Sequence, residues 1–147
     1  MDNSVITAII AASGAIFVAA ITYYLTKKNE LDLRWRNEKI AHYKNLLTAI
    51  SDLAIDNVDK EDANLRFASA TNTIALVAPQ EVINALMDFH NEIKFSNKDN
   101  YSLERHDLLL RILLIKIRRD IKLDSKDKLE DFKFHLIGTR PKKNSKN

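Results

Sequence analysis

The chain has 147 residues, with 23 Lys and Arg against 20 Asp and Glu, no Cys, two Gly and two Pro. This length allows one globular domain at most. The lack of Cys excludes disulfides and thiolate metal sites, and the shortage of turn-forming residues favours long helices over a multi-stranded sheet. Residues 29–138 carry 17 basic and 19 acidic side chains, so we expect no basic surface for nucleic acid.

An N-terminal transmembrane helix is predicted over residues 5–25, which contain no charged residue. At about 1.5 Å per residue this helix spans roughly 31 Å, the thickness of the hydrocarbon core of a bilayer. A cleaved signal peptide is the alternative, because Val18-Ala19-Ala20 has the small residues of a cleavage site. The flank 1–4 lacks positive charge, however, and the apolar run continues to Leu25, which favours a retained anchor.

The residues after this apolar run predict how the anchor is oriented. Tyr23 and Tyr24 lie where an interfacial aromatic belt is expected, and Lys27 and Lys28 follow as headgroup anchors. No Lys or Arg precedes them. By the positive-inside rule, the short N-terminus 1–4 lies outside the cell inner (plasma) membrane and the C-terminal domain is cytoplasmic.

One side of the predicted anchor is a stripe of small residues. Three- and four-residue steps connect its members, and such spacing lets two membrane helices approach closely. We therefore expect the chain to form a homo-oligomer through this helix. The small-residue stripe comprises Ala8, Ala11, Ala12, Gly14, Ala15, Ala19 and Thr22.

Residues 26–58 are predicted to form a juxtamembrane stalk and a first amphipathic helix. Apolar side chains at Ile40, Tyr43, Leu47 and Ile50 repeat at helical spacing. Trp35 lies in the stalk among basic residues. It either rests against anionic lipid headgroups as a further interface anchor or packs on the domain.

Residues 59–138 are predicted to complete a helical bundle. The expected elements are a helix over Lys60–Val77, a helix beginning at Pro79, a loop at 96–100 and a central helix from Leu103 to about Ile121 with Ser102 as its N-cap. A short last helix is expected from Asp124 or Ser125 through Leu136, with Gly138 as its C-terminal stop. The basic tail 139–147 is expected to be disordered.

The predicted fold class is thus all-α, with one N-terminal transmembrane helix followed by a four- to five-helix cytoplasmic bundle. No phosphate-binding loop, nucleophile motif or zinc motif is recognisable, so no catalytic residue, cofactor or metal ligand is assigned. The pairs Glu38–His42 and His106–Asp107 and the run Asp88–Glu92 do not have the spacing of a metal site in a bundle. One basic cluster is a possible patch for an anion or a partner: Lys116, Arg118, Arg119 and Lys122.

Three features give the chain a family resemblance. They are the end of the anchor at Tyr23-Tyr24-Leu25, the charged segment 35–39 and the stretch 114–121. On these features the chain resembles the small, single-pass, membrane-anchored helical proteins of bacteria and their prophages. The resemblance implies a helical membrane protein, and it supplies no activity and no functional residue.

Two functions follow as hypotheses from the anchor and the missing active site. The first is a membrane-tethered, non-catalytic interaction or regulatory protein that acts on a cytoplasmic protein partner and self-associates. The second is a membrane-perturbing effector or pore-forming subunit of a toxin or phage-defence system, in which Thr7, Ser13 and Thr22 line a pore. The lipid bilayer is a partner in both.

Overall fold

The computed structural model describes residues 2–55, 57–123 and 126–137, except for the side chain of Ile9. The elements in chain order are α1 (Asn3–Ala54), α2 (Lys60–Ile74), α3 (Gln80–Ile93), a 3₁₀ helix (Phe95–Asn100) and α4 (Leu103–Asp120). These described residues form no β-strand, as the all-α prediction required. The chain divides into two compact units, Met1–Glu38 and Lys39–Asn147, which are described separately below.

The first unit consists of the N-terminal part of α1. The carbonyl of Asp2 accepts hydrogen bonds from the N–H groups of Val5 and Ile6 and so begins the helix. An 18-residue window of α1 has a mean hydropathy of 2.3, and none of that window is buried. Ile16, Phe17 and Val18 are all more than 60% exposed. One helix of the described chain is thus long and apolar enough to cross a membrane, near the N-terminus as predicted.

The second unit, referred to below as the bundle, packs α2, α3, α4 and the C-terminal part of α1 around one core. Its centre is formed by fully buried aliphatic and aromatic side chains, with α3 and α4 in the closest contact. The apolar repeat predicted for the first amphipathic helix supplies Tyr43 and Ile50 to this core, and Leu47 packs against it. Its largest fully buried members are Leu46, Ile50, Ile74, Val82, Leu86, Phe89, Leu110 and Leu113.

Side-chain caps fix where two helices begin. The carboxylate of Asp59 accepts from the N–H groups of Glu61 and Asp62 at the start of α2. The hydroxyl of Ser102 accepts from the N–H of Arg105 at the start of α4, which confirms Ser102 as the predicted N-cap. Such caps satisfy N–H groups that have no partner within the helix.

Three predicted boundaries need correction. Helix α2 ends at Ile74 instead of Val77, because residues 75–77 form turns onto Thr73 and Ile74. Pro79 precedes α3 as its N-cap instead of lying within it. The predicted loop at 96–100 is a 3₁₀ helix, which begins with a hydrogen bond from the N–H of Asn97 to the carbonyl of Lys94.

The predicted last helix is wrong over residues 126–137. A single turn is closed by a hydrogen bond from the N–H of Phe132 to the carbonyl of Lys128, and residues 132–137 are not helical. The rings of Phe132 and Phe134 stack with centroids 6.3 Å apart, an i,i+2 pairing that suits extended chain. Phe132 and Leu136 also pack against the core, so tertiary contacts replace the helix. The expected start at Asp124 or Ser125, the stop at Gly138 and the tail 139–147 lie outside the described residues.

Candidate functional site

The bundle contains a cavity of about 780 Å³. It is referred to below as the aromatic cavity. Its walls come from the end of α1, from α2, α3 and α4, and from the C-terminal segment 126–137. Ligand pockets commonly have volumes of about 300–1,000 Å³, so this cavity is large enough for a small organic molecule. The apolar walls are formed by Ile50, Leu53, Phe67, Phe89, Ile93 and Leu136.

Aromatic and imidazole rings contact one another around the cavity. The ring of His90 stacks on Phe67 with centroids 6.1 Å apart. The ring of His106 lies between Phe89 and Tyr101, at 5.2 and 6.0 Å. These separations are typical of aromatic pairs that stabilise each other in preferred geometries. Because Phe67 and Phe89 are almost fully buried, a planar molecule in the cavity can pack only against the partly exposed rings of His90, His106 and Tyr101.

Five side chains that can carry positive charge line the cavity, together with one carboxylate. They are Lys60, His90, Lys94, His106 and His135, and the carboxylate is Asp107. The Nδ1 atom of His106 lies 3.1 Å from the Oδ1 atom of Asp107, so this carboxylate already has a partner. The local charge therefore favours an anion over a cation.

The two lysines differ in how much of their hydrogen-bonding capacity is used. Lys60 donates to the carbonyls of Leu53 and Ile55, at 2.9 and 2.7 Å, and so ties α2 to the end of α1. Lys94 donates to the Oδ1 atom of Asn91 at 3.0 Å. Since an ammonium group has three N–H donors, each lysine retains at least one for a ligand.

The mouth of the cavity has exposed apolar side chains. Phe95 is 86% exposed and Leu103 is 65% exposed, and both line the cavity together with Tyr101. Burial raises the pKa of the Tyr101 hydroxyl, and the nearby carboxylates of Asp107 and Glu92 act in the same direction. Tyr101 therefore remains a neutral hydrogen-bond donor at the mouth through the physiological range.

Glu92 is a buried carboxylate close to this cavity, and its role is structural. One carboxylate oxygen accepts from the backbone N–H of Ser102 at 2.8 Å, and the other lies 3.2 Å from the Nε atom of Arg105. Asn97 donates to its backbone carbonyl at 3.0 Å. The carboxylate thus fixes the chain reversal between α3 and α4, and its oxygens are already occupied.

A second polar cluster ties α1 to the end of α4. The carboxylate of Asp120 accepts from the Nζ atom of Lys39 at 3.0 and 3.1 Å and from the hydroxyl of Tyr43 at 2.7 Å. Burial raises the pKa of Tyr43 far above its ordinary value, and the hydrogen bond to Asp120 and the negative charge of that residue add to the effect. These paired polar groups therefore hold α1 against the end of α4.

The predicted small-residue stripe lies on the exposed surface of α1. All seven of its residues are exposed, and a side chain added at Gly14 would meet no atom within 4 Å. The hydroxyls of Thr7 and Ser13 donate to the carbonyls of Asn3 and Ile10 in the same helix. These bonds satisfy the two hydroxyls within a single helix.

The predicted membrane-interface anchors are exposed as well. Tyr23, Tyr24 and Trp35 are 72%, 66% and 55% exposed. Lys27 forms an exposed ion pair with Glu30, with a distance of 3.2 Å between their charged atoms. Lys28 is also exposed. Whether these residues contact lipid stays a prediction.

The predicted anion patch is partly neutralised by acidic neighbours. Lys116 pairs with Glu81 at 2.6 Å, and this ion pair lowers the pKa of the Glu81 carboxyl. Arg118 pairs with the Asp127 carboxylate, and Arg119 donates to the Asp127 carbonyl at 3.0 Å. Lys122 is exposed and has a positive φ of 54° where the chain leaves α4. The patch therefore has less charge available for a ligand than the sequence suggests.

The histidine pairs considered in the sequence do not come together as a metal site. His106 contacts Asp107, whereas His90 stacks on Phe67 and the Glu92 carboxylate bonds to Ser102. Among the residues whose placement is described, no group of three or more His, Asp and Glu side chains is arranged to hold a metal ion.

The aromatic cavity was not predicted from the sequence. His90, His106 and His135 lie on α3, on α4 and in the C-terminal segment, so no spacing along the chain connects them. The available signal was the unusual share of His and aromatic residues in 89–106, including Phe89, His90, Phe95 and Tyr101.

Comparison with known proteins gives no match: no family model, no curated protein and no solved structure is similar to this chain.

Proposed function

We propose that the chain is a membrane-tethered, non-catalytic interaction protein. In this proposal it self-associates through the N-terminal part of α1 and uses the bundle to bind or regulate a cytoplasmic protein partner. The observation that supports the tether is the apolar window of α1, whose mean hydropathy is 2.3 and of which none is buried. Transferring so much apolar surface into lipid is strongly favourable.

The polar groups of the bundle support a binding role. The most buried carboxylates, Glu92 and Asp120, are occupied by backbone and side-chain donors that hold helices together. These two carboxylates therefore serve to make the bundle rigid, which supports the proposal of a recognition domain.

Co-purification of the full chain from native membranes in a mild detergent tests this proposal. We expect a self-associated species with a stoichiometric cytoplasmic protein bound to it. The matched control replaces residues 5–25 with a polyleucine helix, which keeps a tether and removes the small-residue stripe. This control should keep the partner and lose self-association. A wild-type chain that is monomeric and has no partner would contradict the proposal.

The pore-forming alternative predicts a different result in the same cells. Expression would then depolarise the membrane, as reported by a potential-sensitive dye. The Thr7 and Ser13 hydroxyls donate within their own helix, but a hydroxyl that does so can still accept from water, so these bonds do not distinguish the two functions. Depolarisation that disappears in the polyleucine control would favour the pore over the interaction protein.

A further inference from the structure

We propose that the aromatic cavity of the bundle is a binding site for a small aromatic monocarboxylate. The proposal uses only residues of the second unit, so it does not depend on the membrane tether or on a protein partner.

The shape and lining of the cavity favour a ligand with a planar apolar ring. The rings of Phe67 and Phe89 are almost fully buried, and His90 stacks on the first while His106 packs tilted against the second. The rings that a ligand can reach are therefore the partly exposed ones of His90, His106 and Tyr101. Aromatic pairs gain stability beyond the area that they bury. A ring placed here would also remove from water part of the apolar surface at the mouth, where Phe95 is 86% exposed.

The charges of the cavity favour a ligand that carries one negatively charged group. Lys60 and Lys94 line it against the single carboxylate of Asp107, which is already paired with His106. Lys60 uses two of its donors on backbone carbonyls, and Lys94 uses one on Asn91. The remaining N–H donors suit a carboxylate with one negative charge, whereas both lysine ammonium groups would repel a cation.

Fluorine NMR with the full chain in lipid nanodiscs tests the site. The probe is para-trifluoromethyl-phenylacetate, and empty nanodiscs of the same lipid correct for partition. The alcohol and amine with the same ring and chain are the charge controls. We expect saturable binding of the acid, at least about tenfold weaker binding of the alcohol, and no saturable binding of the amine.

Two variants with matched controls locate the binding. Lys94→Gln should weaken acid binding by roughly two- to fivefold and leave alcohol binding unchanged, since an exposed charge contributes modestly. Lys44→Gln, on the exposed side of α1, should bind like the wild type. Ala54→Leu adds volume to the cavity wall and should abolish binding, whereas the exposed Ala41→Leu should not.

Circular dichroism of each variant shows whether the bundle remains folded. If Ala54→Leu unfolds the bundle, Leu53→Trp serves as a second cavity-filling variant. Any of three results would overturn the proposal. They are equal binding of the acid, the alcohol and the amine, no saturable binding of the acid, and unchanged acid binding in a cavity-filling variant that is folded.

Discussion

Glu92 shows how one side chain organises a turn in the bundle. Its side chain is 3% exposed, and it accepts from the N–H of Ser102, the residue that caps α4. A buried acceptor that loses its partner, or a buried donor left without one, costs about 1–3 kcal/mol. The carboxylate therefore stabilises the chain reversal that places α3 against α4.

Replacing Glu92 should destabilise the bundle in a graded way. Glu92→Ala leaves the N–H of Ser102 without its acceptor, and we expect a loss of about 2 kcal/mol in the free energy of unfolding. Glu92→Gln keeps an acceptor oxygen and should cost less. Arg105→Ala should cost under about 1 kcal/mol, because the arginine is 70% exposed. Urea unfolding followed by circular dichroism measures all three, and equal losses for Glu92→Ala and Arg105→Ala would contradict this account.

Tyr43 makes the free energy of unfolding of the bundle depend on pH in the alkaline range. Its pKa is raised in the folded chain by burial and by Asp120, so the folded state retains the phenolic proton after the unfolded chain has released it. This contribution is fully present below about pH 10, the ordinary pKa of tyrosine, and is lost as the pH rises further.

Tyr43→Phe should therefore flatten the alkaline fall in stability. At neutral pH it should cost about 1–2 kcal/mol, because the hydrogen bond to the Asp120 carboxylate is lost. Tyr101→Phe is the control, since its pKa is also raised but its side chain is 46% exposed, and its effect should be smaller. Unfolding curves between pH 7 and about pH 11 measure the free energy of unfolding of each variant. If it falls with pH as steeply in Tyr43→Phe as in the wild type, Tyr43 is excluded as the cause of the alkaline fall.

At the scale of elements, α1 carries the clearest prediction for the N-terminal unit. A side chain added at Gly14 would meet no atom of the chain within 4 Å, so a larger residue is accommodated in the single helix. Loss of association in such a variant would then report on contact between two helices, and not on damage to one of them.

Gly14→Leu combined with Ala15→Leu should abolish self-association of the chain in a bilayer, because leucine separates the two backbones. Ala20→Leu, about 120° or more around the helix from both positions, should leave it intact. Energy transfer between labelled copies in vesicles is the measurement. The stripe would be excluded as the contact surface if the double variant associates as strongly as Ala20→Leu.

The elements also show which sequence signals were sufficient. The predicted bounds of α2, α3 and α4, with Pro79 and Ser102 as start signals, agree with the structure to within a few residues. Met87 is apolar and yet 38% exposed, because α3 turns Val82, Leu86 and Phe89 inward. The segment 126–137 was misassigned because its conformation depends on contacts with α4, including Arg118 over the Phe132 ring.

The aromatic cavity could not be derived from the sequence for a related reason. His90, His106 and His135 come together only after distant parts of the chain have packed. Local propensity and periodicity describe which face of a helix is apolar, and they do not determine where facing side chains leave a gap. The apolar composition of residues 5–25 is a local property, so the sequence was sufficient to predict a long apolar helix there.

We propose that the whole molecule crosses the membrane once, with the bundle on the cytoplasmic side. The chain contains no Cys, so one introduced thiol reports one position without background. Ser4 lies before the apolar window of α1, and Ser96 is exposed in the 3₁₀ helix of the bundle. These two positions report on opposite sides of the membrane if the orientation is correct.

Labelling of Ser4→Cys and Ser96→Cys with a membrane-impermeant maleimide in spheroplasts is the most direct test. We expect the thiol at position 4 to react in intact spheroplasts and the thiol at position 96 to react only after permeabilisation. Both chains should remain in the membrane fraction after alkaline extraction. The reverse pattern would contradict the orientation. Release of the chain from membranes, or loss of the label at position 4 through cleavage of the N-terminus, would contradict the retained anchor itself.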